Sequence, residues 1–246
     1  TGNPGGKHAG ELPDAIGRGR AFRSANCPIH PGDTEITALD KRREPLLLLI
    51  AVAVFLLLSG IDPEADRYTW LLETLPVMIG ILLLVASYRN FPLTPLLYRL
   101  LAFHALILMI GGHYTYAEVP LGDWISELFD QARNNYDKLG HFAQGFVPAI
   151  IARELLIRLK VVNKPAWRDF LIVCLCLAIS AFYELIEWWV ALLSEEAADS
   201  FLGTQGYTWD TQSDMAWALF GCAVALFALS AWHDRQLRQA GYVGSP

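Results

Sequence analysis

The chain has few cysteines and few charged side chains, and each shortage excludes a class of protein. Four cysteines in 246 residues do not make a disulfide framework. Three of them, Cys174, Cys176 and Cys222, fall in apolar segments and are expected to be small buried residues. Only 18% of residues are charged, and the net charge is -6. This acidic balance argues against a nucleic-acid partner and against docking on anionic lipid by charge alone.

Apolar residues make up 54% of the chain, and they fall in long blocks instead of amphipathic stripes. A helix needs ~20 apolar residues to cross the hydrocarbon core of a membrane. We therefore predict an all-α, polytopic transmembrane bundle of about six spans, with five as the alternative. The bundle is expected to be one domain, residues 41–238, between an N-terminal tail, 1–40, and a short tail, 239–246. The six blocks are 45–61, 68–88, 96–113, 138–157, 170–191 and 212–232.

Lysine and arginine predict the orientation of the bundle, because these residues accumulate in cytoplasmic connections. Twelve of them fall on one side of the predicted spans and three on the other, namely Arg67, Arg133 and Lys138. Both termini are therefore expected in the cytoplasm. The tail 1–40 is rich in Gly and Pro and is expected to be disordered or non-native, and it is a candidate contact for a protein partner.

The longest predicted outer connection contains apolar residues at helical spacing, among them Leu121, Trp124 and Leu128. This pattern predicts an amphipathic helix near 120–132 at the membrane surface. Such a helix could cover a pocket as a lid, or it could float at the interface.

Ionisable residues at one level of the bundle are the main functional signal. Such side chains are costly in or beside a bilayer and mark functional sites. Asp137 and His141 are four residues apart, Glu184 and Glu187 three apart, and Asp210 and Asp214 four apart, so each pair shares a helix face. We expect a polar pocket on the outer side, with metal ligands drawn from His113, Asp137, His141, Glu184, Glu187, Asp210 and Asp214.

Imidazole and carboxylate groups together favour Zn, Mn or Fe, and a carboxylate-rich set also suits Mg or Ca. A bound metal could activate water for ester hydrolysis, with Glu184, Glu187 and His141 as candidate catalytic residues. Without a metal, the same groups could form a proton or cation relay. They could instead be structural, paired with Arg133 or Lys138.

Two further expectations bear on these alternatives. His104 lies in the middle of a predicted span and is expected to be a core histidine. No paired polar groups are expected in the inner half of the bundle, which weakens a transport pathway, as does the lack of two similar halves.

The sequence resembles the YjdF-type bacterial inner-membrane proteins over about 45–236. The resemblance rests on Tyr-Asp-Lys-Leu-Gly-His-Phe at 136–142, Glu-Leu-Ile-Glu-Trp-Trp at 184–189 and Asp-Thr-Gln-Ser-Asp at 210–214. The motifs at 91–98 and 111–116 fit the same family. It implies a multi-pass protein of the bacterial inner (cytoplasmic) membrane. The order of these motifs is also similar to the wider VanZ-like group, which is linked with glycopeptide resistance.

Three functions follow as hypotheses. The first is a metal-dependent hydrolase or transferase of a lipid or cell-envelope substrate. The second is a small ion-coupled transporter, and the third is a structural or accessory membrane subunit. In each case membrane lipid is the expected surrounding.

Overall fold

The computed structural model describes residues 1–2, 31–193 and 205–243, with side chains from residue 43 onward in the first helix. Its contacts divide the chain into two units, residues 1–38 and residues 39–246. The described ranges hold α-helices and no strand, which confirms the all-α prediction. The helices are α1 (Pro31–Ser59), α2 (Arg67–Ser87), α3 (Pro95–Tyr114), α4 (Pro120–Leu128), α5 (Tyr136–Arg158), α6 (Pro165–Leu193) and α7 (Asp210–Gln239), with a 3-10 turn at Tyr116–Glu118.

Four helices are long and apolar enough to cross a membrane: α2, α3, α6 and α7. The predicted six spans are therefore supported by length and composition at four positions among the described residues. The helix α5 is long enough but carries charged side chains in its length, and three of them, Lys138, Arg153 and Glu154, are buried. Most of the predicted tail lies outside the described residues, although α1 begins within it, at Pro31.

The central helix of the bundle is α5, which packs against α3, α6 and most extensively α7. Two glycines allow α5 and α7 to approach closely. A Cβ atom on Gly145 would overlap the backbone carbonyl of Ala218, and one on Gly221 would overlap that of Phe142. Small residues at such a crossing allow the close backbone contact by which membrane helices associate.

The largest cluster of buried apolar residues lies where α3, α5, α6 and α7 meet. It includes Ile150, Ile172 and the thiols of Cys176 and Cys222, all fully buried. The expectation for these two cysteines is therefore confirmed. Cys174 is exposed, so the expectation that it is buried was wrong. It stands two residues before Cys176, which turns it to a different side of α6.

The outer helix α2 packs on α3 and begins at a side-chain cap. The carboxylate of Asp66 accepts hydrogen bonds from the backbone N–H groups of Tyr68 and Thr69, at 2.8 and 3.1 Å. The Thr69 hydroxyl also donates to it, at 2.6 Å. These bonds favour the charged form, so the pKa of Asp66 is lowered, chiefly by the Thr69 hydroxyl.

The short helix α4 lies within residues 120–132, the segment for which an amphipathic surface helix is predicted. Its small residues Gly122 and Ser126 are buried, whereas Leu121, Trp124 and Leu128 are exposed. A lid would cover its apolar face, so the exposure of that face favours a helix that floats at the membrane interface.

Candidate functional site

The start of α5 carries the site, and Asn134 fixes its position. The Asn134 amide donates to the Val119 carbonyl at 2.9 Å and to Asp123 Oδ1 at 2.8 Å. Its own Oδ1 accepts from the backbone N–H of Tyr136 at 3.0 Å, and the Tyr136 hydroxyl donates to the Ile107 carbonyl at 3.0 Å. This local network holds the first turn of α5, from which Asp137, Lys138 and His141 project.

Lys138 joins α5 to the start of α7. Its buried Nζ atom lies 2.6 Å from Asp210 Oδ1 and 2.5 Å from Asp214 Oδ1. Arg133 adds a second cation, with Nη1 2.8 Å from Asp210 Oδ1. Asp210 is thus held by two cations.

His141 lies among three polar side chains. Its Nε2 atom is 3.4 Å from Asp137 Oδ1 and 3.7 Å from Glu184 Oε1, and its Nδ1 atom is 3.3 Å from Gln144 Oε1. Because Asp137 and His141 are one helical turn apart, α5 alone sets their separation. Glu184 comes from α6, so tertiary packing adds the third group.

Asp137, His141 and Asp214 form a group that could hold a metal ion. One ligand atom from each lies within 4.8 Å of the others, and two of the three residues are buried. Glu184 is a candidate fourth ligand: its Oε1 atom is buried, faces His141, and makes no hydrogen bond with the described part of the chain. A buried carboxylate oxygen without a donor is costly, and a cation would satisfy it.

A polar cavity of about 190 Å³ opens beside this group. Glu187, Asp137 and His141 line it, as the sequence predicts, together with residues that the sequence analysis did not select. These include Glu73, which is buried and accepts a hydrogen bond from the Tyr183 hydroxyl at 3.3 Å. Glu73 stands inside a predicted span, and that position was a signal that could have found it. The other polar residues of the wall are His104, Tyr116, Gln144 and Tyr183.

Tyr116 reaches the cavity from the turn between α3 and α4. Burial raises the pKa of its hydroxyl above the usual range. The phenol therefore stays neutral and can donate a hydrogen bond toward the acidic wall.

Two histidines of α3, His113 and His104, differ from their predicted roles. The Nδ1 atom of His113 is 2.8 Å from the Ser59 carbonyl, so this ring ties the end of α3 to the end of α1. His104 was expected in the core, but it lines the polar cavity. The two histidines are nine residues apart on α3, so their rings meet different neighbours.

A second buried polar cluster lies toward the far ends of α5 and α7, where none was expected. Glu154 is fully buried and accepts hydrogen bonds from the Thr94 hydroxyl and Arg158, both at 2.7 Å. His233 Nε2 is 3.0 Å from Glu154, and Arg153 Nη1 is 3.0 Å from His233 Nδ1. The expectation of no paired polar groups in that half was wrong. Glu154 and Arg158 pair within α5, one helical turn apart, and packing adds Thr94 and His233 from distant parts of the sequence.

Comparison with known proteins agrees with this architecture. A family described as "Predicted membrane protein (DUF2238)" matches residues 44–235. The chain belongs to this family. It is also 51% identical to the inner membrane protein YjdF of Escherichia coli strain K12 over 208 residues, which is 83% of this chain and 99% of that protein. No solved structure matches the chain.

The DUF2238 match covers all the residues of the candidate site and of the second polar cluster. Together with the four apolar helices, these likenesses confirm the predicted location in the inner membrane. The description of the matched family names no reaction.

Proposed function

We propose that this DUF2238 protein binds a divalent cation at Asp137, His141 and Asp214 and acts as a metal-dependent hydrolase or transferase on a lipid or cell-envelope substrate. The observation that carries the proposal is the convergence of these three ligand atoms within 4.8 Å beside the unpartnered Glu184 Oε1.

The charge balance of the site supports a cation. Six carboxylates surround it, and the basic groups that pair with them in the described structure are Lys138, Arg133 and, when its ring is protonated, His141. Carboxylates gathered in a low-dielectric interior repel one another unless they are protonated or bridged by positive charge. A divalent ion would offset two of these charges. The six are Glu73, Asp137, Glu184, Glu187, Asp210 and Asp214.

The donor set favours Zn, Mn or Fe over Ca, since it combines imidazole with carboxylates. When bound, such an ion lowers the pKa of a coordinated water toward ~7 and thereby supplies a nucleophile. Glu187 lines the cavity beside the group, and its carboxylate would be the candidate to take the proton of that water. In hydrolysis, the water oxygen would bond to the acyl or phosphoryl centre, the ester bond would break, and the proton would pass to the leaving oxygen.

The proposal also includes the side of the membrane and the similarity to a wider group. The bias of Lys and Arg favours a periplasmic location for this end of the bundle. The similarity to the VanZ-like group, in the order of the Asp137, Glu184 and Asp210 motifs, favours a cell-envelope substrate.

Metal analysis of the purified full-length chain tests the proposal. Wild type should carry near-stoichiometric Zn, Mn or Fe, and His141→Ala should lose it while still inserting in the membrane. The matched control is His113→Ala, because His113 binds the Ser59 carbonyl and should leave the metal content unchanged. Wild-type protein that is metal-free after growth with each metal would overturn the proposal.

A second candidate, an ion-coupled transporter, is favoured by the buried cluster of Glu154, His233 and Arg153. Glu154 is 13 residues beyond His141, about 20 Å along α5, so polar groups occur toward both ends of this helix. Proteoliposomes with an internal pH dye would test this role. Proton or cation flux that His141→Ala abolishes would support transport, and its absence in sealed vesicles would exclude it.

A further inference from the structure

An apolar groove of about 530 Å³ lies between α1, α2 and α3. Its volume is within the range of about 300–1,000 Å³ that is usual for ligand sites. The wall is almost entirely aliphatic in its middle, and Tyr88, Arg89 and Tyr98 line its far end. The aliphatic residues include Leu49, Val52, Val77, Ile81, Leu84 and Leu101.

Two side-chain links join α1 to its neighbours, one before and one after residues 45–52, which line the groove. At one end, Arg99 Nε lies 2.5 Å from Glu44 Oε1, which links α3 to α1. At the other end, the Trp70 indole N–H donates to Ser59 Oγ at 3.2 Å. In the groove wall, Gly80 of α2 presents no side chain, and a Cβ built there would meet no atom within 4 Å.

The groove adjoins the cavity of the candidate site. Pro76, His104 and Leu108 line both spaces. Taken together, the two spaces have a long apolar arm and an end that carries Glu73, Asp137 and the other ionisable groups described above. From Pro76 to the end of α2 at Ser87 is 11 residues of helix, so the apolar arm is about 17 Å long.

We propose that this space binds a single-chain amphiphile, with the acyl chain in the groove and the polar head in the cavity beside His141. The proposal rests on the function proposed above and names its substrate class. An acyl chain fits an elongated aliphatic groove. A wholly polar substrate would leave the apolar arm unused, and a wholly apolar one would bury the carboxylates without partners.

The orientation of the bound amphiphile follows from the residues that line the two spaces. The head group carries the ester or phosphoryl bond on which hydrolytic chemistry acts, and the candidate metal ligands line only the cavity end. The chain terminus is therefore directed toward Tyr88 and Tyr98 at the other end of the groove.

Photo-cross-linking of the full-length chain with two palmitoyl lysophospholipids tests the proposal. One probe carries a diazirine at the chain terminus and the other carries it next to the head group. The terminal probe should label peptides that contain Tyr88 or Tyr98, and the head probe those that contain Gln144 or Tyr183. Unlabelled lysophospholipid should compete in both cases.

Gly80→Leu is the decisive variant, because its side chain has room to enter the groove without displacing protein atoms. It should abolish labelling by both probes. The matched control is Ala86→Leu, which makes a similar change at an exposed position of α2 outside the groove wall and should label as wild type.

Three results separate this proposal from the proposed function. Labelling that is spread over all lipid-facing helices and is unchanged in Gly80→Leu shows surrounding lipid only and overturns the groove. A reversed order of labelling by the two probes also overturns it. Metal content is measured on the same samples: metal-free protein with the expected labelling supports the groove while the metal function fails.

Discussion

The Nζ atom of Lys138 lies 2.5 Å from Oδ1 of Asp214, a residue that also belongs to the candidate metal group. Asp214 therefore takes part both in an ion pair with Lys138 and in the proposed cation site. A buried pair of this kind depends strongly on both partners, because removal of one leaves an uncompensated charge. Lys138 links the stability of the α5–α7 contact to the occupancy of the site.

Lys138→Met should destabilise the protein by about 3–5 kcal/mol when metal is removed, since Asp210 and Asp214 lose their shared cation. Added Zn or Mn should restore part of this loss, because a cation that binds only the folded state stabilises it. Thermal unfolding in detergent, with chelator and with metal, measures both effects. The control is Lys164→Met, at an exposed position, which should unfold as wild type. An unchanged unfolding temperature in chelator would contradict the role of Lys138.

The second polar cluster gives a contrast between buried and exposed ion pairs. Glu154→Leu should cost about 3–5 kcal/mol, because Arg158 and Thr94 lose a fully buried partner. Asp169→Ala breaks the half-exposed pair with Arg168 and should cost at most ~1 kcal/mol. Unfolding of the two variants under one condition makes the comparison, and equal losses would show that the Glu154 cluster is not a stabilising network.

The crossing of α5 and α7 depends on the absence of side chains at its glycines. Gly145→Ala should destabilise the bundle by about 1–3 kcal/mol or more, since the new Cβ meets the backbone carbonyl of Ala218, which cannot rotate away. Gly80→Ala adds the same atom in open space and serves as the control. Thermal unfolding measures both, and a neutral Gly145→Ala would mean that the helices are further apart than described.

The cap of α2 should give a small stability effect that depends on pH. Asp66→Ala should cost about 1 kcal/mol near neutral pH. The folded-state pKa of Asp66 lies below its ordinary value of 3.8, so the charged cap contributes above that value and its contribution is lost as the pH falls through the folded pKa. The difference in unfolding temperature between wild type and Asp66→Ala should therefore shrink below about pH 4. Asp66→Asn, which can still accept the backbone bonds, should show no such titration.

The orientation predicted from Lys and Arg can be tested directly. Reporter fusions after Arg133 and after Asp199 should score periplasmic, and a fusion after Lys164 should score cytoplasmic. A fusion after Lys164 that scores periplasmic would invert the bundle and place the candidate site on the cytoplasmic side.

The sequence alone determined the helical class, the approximate positions of the apolar helices and most of the ionisable groups near one end of the bundle. Apolar blocks of membrane length and pairs at helical spacing are local signals, because one helix sets both. Asp137 and His141, four residues apart on α5, are such a pair. Only the tertiary structure decided which groups pair across helices. Packing placed Lys138 against Asp210 and Asp214 and brought Glu73 to the cavity. It also joined Glu154 to His233, which are 79 residues apart in the sequence. Such contacts depend on the rotation of each helix about its axis, which only its packing against the others fixes.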